Sequence, residues 1–279
     1  KKIFTKYIVT AYDHVSNDYV KLYHAINYNN VKFCTISHGT AFLSLNYNIK
    51  SFEREISHKF LVQNPSSSKE IFLPHYLSVI KESKDKNKSK ICFIFYEPKE
   101  FDHFRDGPIY HESKNYVRSM NKITKKLFKN YKKDLIIVSN RDKNFKYTKN
   151  LKKNFGKNFI DKPLVFRKYL KETKLFISTM PFSTFIQAFL SGPTILFLNK
   201  NQWEHSKKFR LIKKEMIKNK IIFENEKKLL LHVKQISGDP NKWWNSKNIV
   251  LVKKKFKKTF SIDNSSIEEF SYYLKKINK

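Results

Sequence analysis

Short apolar runs alternate with amphipathic segments along most of the chain, and this alternation predicts strands separated by helices. The clearest example spans residues 175–198. Apolar residues at 175–177 predict a strand, helical spacing of apolar residues over 182–190 predicts a helix, and the run at 194–198 predicts a second strand. We expect Gly192 to end the helix in the left-handed conformation. Strand, helix and strand joined by short loops form a βαβ unit, whose strands are parallel.

The same reasoning predicts elements in both halves of the chain. A basic stretch at 143–162 is predicted to be a loop, and Ser16 is the expected N-cap of the first helix. Further strands are predicted at 7–10, 31–36, 59–63, 91–96, 134–139 and 221–223, and further helices at 16–28, 116–131, 164–173, 226–236, 246–258 and 263–277. Alternating strands and helices indicate the α/β class.

A nearly all-polar stretch at 81–90 is the predicted domain boundary. It separates an N-terminal Rossmann-like domain at 1–82 from a C-terminal Rossmann-like domain at 88–262, which a C-terminal helix at 263–279 follows. Two such domains facing a cleft form the GT-B arrangement, which other two-domain α/β proteins also resemble. The chain starts at Lys rather than Met, so we expect the N-terminal domain to be incomplete.

The charge is strongly basic, with 57 Lys and Arg against 24 Asp and Glu and a net charge of +33. An anionic partner would explain this, but so would an AT-rich coding sequence, since the lysines are spread along the chain. A nucleic-acid partner is disfavoured, because no RNP-like, helix-turn-helix or zinc pattern occurs. No apolar run reaches about 18 residues and no signal peptide is evident, so we expect a cytoplasmic protein. Cys34 and Cys92 are predicted to be buried thiols, and no metal is expected.

A cluster of hydroxyl residues surrounds the predicted start of the helix at 182–190. Ser178, Thr179, Ser183 and Thr184 fall where the first strand of the βαβ unit ends. Ligands of such folds lie beyond the carboxyl ends of the strands, and a helix N-terminus attracts anions. The cluster therefore predicts a phosphate site, although an ordinary N-cap formed by Ser178 or Thr179 would give the same pattern.

Five motifs give the chain a family resemblance. They are Ser37-His38-Gly39-Thr40, Glu53-Arg54-Glu55-Ile56-Ser57, Glu97-Pro98 with Arg105, the block from Ser178-Thr179 through Thr184-Phe185 and Pro193-Thr194 to Trp203-Glu204, and Lys242-Trp243-Trp244. In this order they resemble a family of bacterial surface-carbohydrate transferases with a GT-B-like fold, related to retaining β-Kdo transferases. The chain departs from the family pattern at Ser37, Thr40 and Gln187, which replace Gln, Gly and an acidic residue.

The candidate site residues combine strand-end positions with this resemblance. His38 is a candidate acid or base, or a turn residue bonded to backbone, and Glu97 with Arg105 forms either a ligand clamp or a surface ion pair. Glu204 contacts ligand or caps the next helix. The candidate catalytic residues are His38, Glu97 and Asp13, and the candidate ligand-binding residues are Gly39, Arg105, Ser178, Thr179, Ser183, Thr184, Gln187 and Glu204.

The resemblance implies a glycosyltransferase of cell-surface polysaccharide biosynthesis. A nucleotide sugar would be the donor substrate, with Kdo from CMP-Kdo as one candidate, a glycan or lipid-linked molecule would be the acceptor, and no cofactor is expected. Two alternatives stay open. One is a basic nucleic-acid-binding protein, and the other is a catalytically degenerate transferase that acts as a scaffold on the anionic inner membrane face. The oligomeric state is not predicted.

Overall fold

The computed structural model describes two compact units. The described residues are 6–11, 17–37, 54–62, 67–73, 88–95, 113–139, 146–160, 166–199, 205–260, 262 and 267–275. The first unit contains those up to Leu73 together with those from Phe256 onward, and the second contains those between Lys88 and Lys255. Each unit has its own parallel sheet, which confirms the predicted α/β class with two Rossmann-like halves.

The sheet of the first unit has four parallel strands. They lie side by side in chain order and are β1 (Tyr7–Thr10), β2 (Lys32–Ile36), β3 (Lys59–Val62) and β4 (Glu70–Phe72). The helix α1 (Asp18–Ile26) connects β1 to β2. Its N-cap is Asn17 rather than Ser16, because the Asn17 side chain accepts hydrogen bonds from the backbone N–H groups of Tyr19 and Val20 at 3.1 and 3.3 Å.

Polar contacts hold the segment at 54–57 against this sheet. Arg54 donates from Nε to the Glu70 carboxylate at 2.8 Å and also from Nη2 to the same oxygen. The Glu70 side chain is only 1% exposed, and Arg54 places a positive charge beside its carboxylate. The hydroxyl of Ser57 shares a short hydrogen bond with that of Thr35 at the end of β2. Arg54 and Ser57 of this motif therefore contribute packing within the first unit.

The sheet of the second unit has six parallel strands. In chain order they are β5 (Lys90–Phe95), β6 (Leu135–Ser139), β7 (Phe159–Ile160), β8 (Thr173–Ser178), β9 (Thr194–Phe197) and β10 (Ile222–Phe223). Their order across the sheet is β10-β9-β8-β5-β6-β7. Nearly every residue of β5, β6, β8 and β9 is buried, as a parallel sheet covered on both faces requires.

Eight helices accompany the second sheet within the part of the chain that the structure describes. They are α2 (Ser113–Tyr131), α3 (Lys146–Phe155), α4 (Phe166–Glu172), α5 (Ser183–Ser191), α6 (Lys207–Lys218), α7 (Glu226–Ile236), α8 (Pro240–Trp244) and α9 (Lys247–Thr259). None of the described helices is both long and apolar enough to cross a membrane. The predicted strand–helix–strand unit at 175–198 is confirmed as β8, α5 and β9.

Two local predictions in this unit are wrong. The stretch predicted as a basic loop contains α3, which buries Leu151 and Phe155 on one face and places the Phe155 ring 5.1 Å from that of Phe128. Gly192 has φ 163°, which is extended rather than left-handed, and its N–H donates to the Ala188 carbonyl at 3.0 Å. The chain therefore leaves α5 without the left-handed glycine conformation that the Gly192-Pro193 pair predicts.

The last helix, α10 (Ile267–Lys275), belongs to the first unit. Its Tyr273 and Leu274 pack against a buried cluster of Cys34, Leu61 and Leu73 from the first sheet. The Tyr273 ring also meets the Phe72 ring edge-on at 4.9 Å. The segment predicted as a separate C-terminal helix therefore completes the core of the first unit.

Candidate functional site

The strand order of the second sheet defines a topological switch point between β5 and β8. From β5 the chain proceeds outward to β6 and β7, and it then returns to β8 on the other side of β5. Ligands of open parallel sheets bind beyond the carboxyl ends of the strands at such a point. The carboxyl end of β8 is held against β5, because Ser178 pairs with Ile94 and the Thr179 N–H donates to the Ile94 carbonyl at 3.0 Å.

The hydroxyls of Ser178 and Thr179 face the interior of the unit. Both residues are 0% exposed. Ser178 Oγ donates to the Met180 carbonyl at 3.1 Å, which folds the turn after β8. Thr179 Oγ1 lies 2.7 Å from the Tyr116 hydroxyl and so ties the same turn to α2. Neither residue is the N-cap of α5, so the alternative reading that they cap this helix is wrong.

The start of α5 presents a different set of polar groups. Its N-cap is Phe182, whose side chain has no acceptor for the first-turn N–H groups. Ser183, Thr184 and Gln187 are half-exposed, whereas the remaining side chains of α5 are buried. The predicted polar residues are thus divided, with Ser178 and Thr179 inside, Ser183 and Thr184 at the surface of the helix start, and Gln187 one turn further along α5. Two hydroxyls beside the positive end of a helix dipole can bind a phosphate group.

The other candidate residues lie outside the described residues. In the sequence, four of them follow a described strand within three residues of its end. They are Asp13 after β1, His38 and Gly39 after β2, and Glu97 after β5. Arg105 and Glu204 are also outside. The alternative in which Glu204 caps the following helix is wrong, because the N-cap of α6 is Ser206, whose Oγ accepts from the Phe209 N–H at 3.2 Å.

A polar network that sequence reasoning missed continues along the carboxyl edge of the sheet. Asn199, two residues beyond β9, donates from Nδ2 to Ser119 Oγ at 3.0 Å. Ser119 in turn donates to the carboxylate of Glu226, at the start of α7, at 2.7 Å. One signal was present in the sequence, since Ser119 lies between Tyr116 and Ile123 on the mostly apolar face of α2. The network fixes α2 and α7 beside the strand ends.

A second missed cluster joins the start of α6 to the end of β10. Lys213 Nζ lies 2.6 Å from the Glu224 carboxylate and 3.1 Å from His205 Nε2. Burial, together with the positive charges of Lys213 and Arg210, lowers the pKa of His205 to about 4. A neutral imidazole that accepts from Lys213 carries its proton on Nδ1, which is buried and makes no hydrogen bond to a described residue.

The described residues contain no group of three or more His, Cys, Asp or Glu side chains that could hold a metal ion. Both described cysteines are buried and reduced, and burial raises the pKa of the Cys92 thiol well above its usual range. Within the part of the chain that the structure describes, the start of α5 offers hydroxyls, a side-chain amide and backbone N–H groups. These groups bind and orient a ligand, and they stabilise negative charge on it.

Comparison with solved structures defines the fold class as GT-B-like. A UDP-N-acetylglucosamine 2-epimerase matches with a TM-score of 0.52 at 9% identity, covering 99% of this chain and 72% of its own. A protein of Listeria monocytogenes, described as an enzyme of the same activity, matches with a TM-score of 0.52 at 7% identity over 94% of this chain and 77% of its own. The wall teichoic acid polymerase TagF gives a TM-score of 0.47 at 10% identity over 89% and 68%.

The family of the chain is shown by its sequence. The model of the LIC12162 family of transferases matches residues 1–271, nearly the whole length. The chain therefore belongs to this transferase family. No curated protein matches the chain.

Proposed function

We propose that the protein is a glycosyltransferase that moves a sugar from a nucleotide donor to a glycan acceptor in the synthesis of a cell-surface polysaccharide. Membership of a transferase family and the GT-B-like fold support this assignment. The observation that carries it is the start of α5, where half-exposed Ser183 and Thr184 adjoin the switch point of the second sheet. A nucleotide sugar offers a phosphate group for such a position.

The chemistry follows from the charge that develops on the leaving phosphate. When the bond between sugar and phosphate breaks, negative charge accumulates on the phosphate oxygens. First-turn N–H groups of α5 and the two hydroxyls would stabilise that charge without a metal. Ser178 and Thr179 would act indirectly, because their hydrogen bonds to Met180 and Tyr116 fix the turn that positions the helix start.

The remaining candidate residues take roles under the same proposal. His38, Asp13 and Glu97 are candidates for proton transfer with the acceptor or for binding sugar hydroxyls. Arg105 would bind the carboxylate of an acidic sugar. Gly39 would allow close approach of the ligand, and Gln187 and Glu204 would contact the nucleoside.

We propose two candidate nucleotide classes for the donor. The resemblance to β-Kdo transferases favours CMP-Kdo, an acidic sugar donor. The structural neighbours named as UDP-N-acetylglucosamine 2-epimerases make UDP-N-acetylglucosamine the second candidate. A thermal-shift panel with CMP, UDP, CMP-Kdo and UDP-N-acetylglucosamine separates them, since a ligand that binds only the folded state raises the Tm.

The decisive variants change the start of α5. Ser183→Ala with Thr184→Ala should abolish most of the nucleotide-dependent rise in Tm. The matched control is Asp239→Ala, which removes the N-cap bond from the Lys242 N–H at 3.2 Å and should cost about 1 kcal/mol. Asp239 lies just beyond the end of α7. This helix is about 16 Å long and begins at the carboxyl edge of the sheet, so Asp239 is about one helix length from that edge. The control should therefore lower the basal Tm and keep the nucleotide response.

Two results would contradict the proposal. A protein whose Tm responds to none of the nucleotides has no donor site of this kind. A response that survives in the Ser183 and Thr184 double variant would place the phosphate elsewhere. Nucleotide binding without donor hydrolysis or sugar transfer would instead identify the catalytically degenerate alternative. The observation that supports this alternative is the neutral Gln187, which stands in place of an acidic residue.

A further inference from the structure

The outer face of α6 combines lysines with an exposed leucine. Lys207, Leu211, Lys214 and Lys218 follow one another at three- and four-residue spacing, and all four are exposed. Leu211 is 70% exposed. The opposite face of the helix is buried in the second unit through Phe209, Ile212 and Met216. Leu211 therefore lies at the centre of the solvent-facing side of α6 and not at the margin of its buried face.

The outer face of α9 repeats this arrangement. Lys247, Leu251 and Lys254 are exposed at the same spacing as Lys207, Leu211 and Lys214 of α6. Leu251 is 57% exposed, and its neighbour Val250 is 44% exposed. Both helices thus present an aliphatic side chain between lysines.

An ion pair brings the two faces together. Glu215 of α6 contacts Lys255 of α9, and both side chains are partly exposed. Glu215 lies one helical turn after Leu211, and Lys255 lies one turn after Leu251, so the pair joins the two exposed rows. We call the combined area the two-helix surface and define it by Lys207, Leu211 and Lys214 of α6 with Lys247, Leu251 and Lys254 of α9. Glu215 is the one acidic residue on either helix.

The helix α2 shows that positive charge alone does not define this surface. Its outer face carries exposed Lys122, Lys125 and Lys129. From Lys114 to Tyr131, however, no large apolar side chain of α2 is exposed. A general excess of lysine would produce the face of α2, which lacks the exposed leucines of α6 and α9.

We propose that the two-helix surface binds an anionic lipid bilayer. Lysines beside a membrane are attracted to acidic headgroups, and aliphatic side chains that enter the headgroup boundary add buried apolar area. A nucleic acid would use the lysines but not the leucines, since its single strands stack on aromatic side chains and its phosphates contact cations. This inference goes beyond the proposed function and does not depend on which donor the protein uses.

Vesicle co-sedimentation tests the proposal on the full chain. The vesicles contain either phosphatidylcholine alone or equal parts of phosphatidylcholine and phosphatidylglycerol, at low and at physiological salt. The charge variant is Lys207→Glu with Lys214→Glu and Lys254→Glu, and the matched control is Lys122→Glu with Lys125→Glu and Lys129→Glu on α2. A third variant, Leu211→Ser with Leu251→Ser, changes exposed apolar area without changing charge.

The expected pattern separates this surface from diffuse attraction. The parent chain should bind the anionic vesicles and not the neutral ones. The α6 and α9 charge variant should bind at least about tenfold more weakly, and the α2 control should bind less than about threefold more weakly. The double serine variant should lose several-fold in affinity while keeping its salt dependence.

Three outcomes would overturn the proposal. Equal losses in the two charge variants would mean that net charge alone drives binding. Unchanged affinity in the double serine variant would mean that the leucines do not meet the bilayer. Binding of a single-stranded oligonucleotide without binding of anionic vesicles would assign the lysines to nucleic acid. Far-UV circular dichroism and Tm values equal to those of the parent chain establish that each variant is folded.

Discussion

Lowering the pH between 6.5 and 4 is expected to destabilise the second unit through His232 of α7. This residue is 4% exposed and its ring lies between those of Phe223 and Trp243, with centroid distances of 5.3 and 5.1 Å. Neither ring nitrogen makes a hydrogen bond to a described residue. The nearby Gln235 side chain slightly opposes the lowering of the pKa of His232. Burial lowers the pKa of His232 to about 4, and the charge of Lys220 contributes.

The sign of the effect follows from which state binds the proton. In the unfolded chain His232 has an ordinary pKa of 6.5, whereas in the folded unit its pKa is about 4. Between these values the unfolded state takes up a proton that the folded state refuses. The contribution of His232 to the free energy of unfolding is therefore fully present above pH 6.5, falls as the pH falls, and levels off near pH 4. The shift corresponds to about 3.4 kcal/mol at full strength, and partial solvent screening reduces it to about 2 kcal/mol.

Urea unfolding across this pH range measures the effect directly. The variant His232→Phe keeps an aromatic ring against Phe223 and Trp243 but cannot titrate. The parent chain should lose about 2 kcal/mol more than this variant between the two ends of the range. The contribution of His205 is present in both proteins and cancels in the difference. Parallel profiles for the parent and His232→Phe would refute the reasoning.

Three further changes test the packing of the two units. Arg54→Met removes the ion pair between the guanidinium and the buried carboxylate of Glu70 and should cost about 3–5 kcal/mol in urea unfolding, with partial recovery when Glu70→Met is added. Asn158→Ala removes two hydrogen bonds of 2.7 Å to backbone carbonyls and should cost about 2 kcal/mol, seen as a lower Tm. Lys220 has φ 61°, so Lys220→Gly should stabilise by about 0.5 kcal/mol whereas Lys220→Ala should not.

The sequence predicted elements well where one short segment contains the whole signal. The unit of β8, α5 and β9 was predictable because its strands are continuous apolar runs and its helix has apolar residues at helical spacing. The helix α3 was missed because lysines are frequent in it, and the buried side chains described on it are Leu151 and Phe155. The cap of α1 was placed one residue early, since Ser16 and Asn17 are both good caps and the backbone path decides between them.

The candidate site was predictable in its location and less so in its orientation. The rule that ligands lie at the carboxyl ends of parallel strands located the turn after β8 without any structure. It could not show which hydroxyls point inward. Ser178 and Thr179 continue a buried strand, and the Thr179 N–H still bonds to β5, so their side chains stay in the interior. Ser119 and Glu226 meet across more than one hundred positions of sequence, which no local pattern reveals.

This orientation changes which substitutions test the proposed donor site. Alanine at Ser178 and Thr179 would remove hydrogen bonds to the Met180 carbonyl and the Tyr116 hydroxyl, at a cost of about 1 kcal/mol each. A loss of nucleotide binding in that variant could therefore come from a displaced turn rather than from a lost phosphate contact. Ser183 and Thr184 are half-exposed at the first turn of α5. Neither side chain is fully buried, so a lost nucleotide response there reports on the phosphate more directly than one at Ser178 or Thr179.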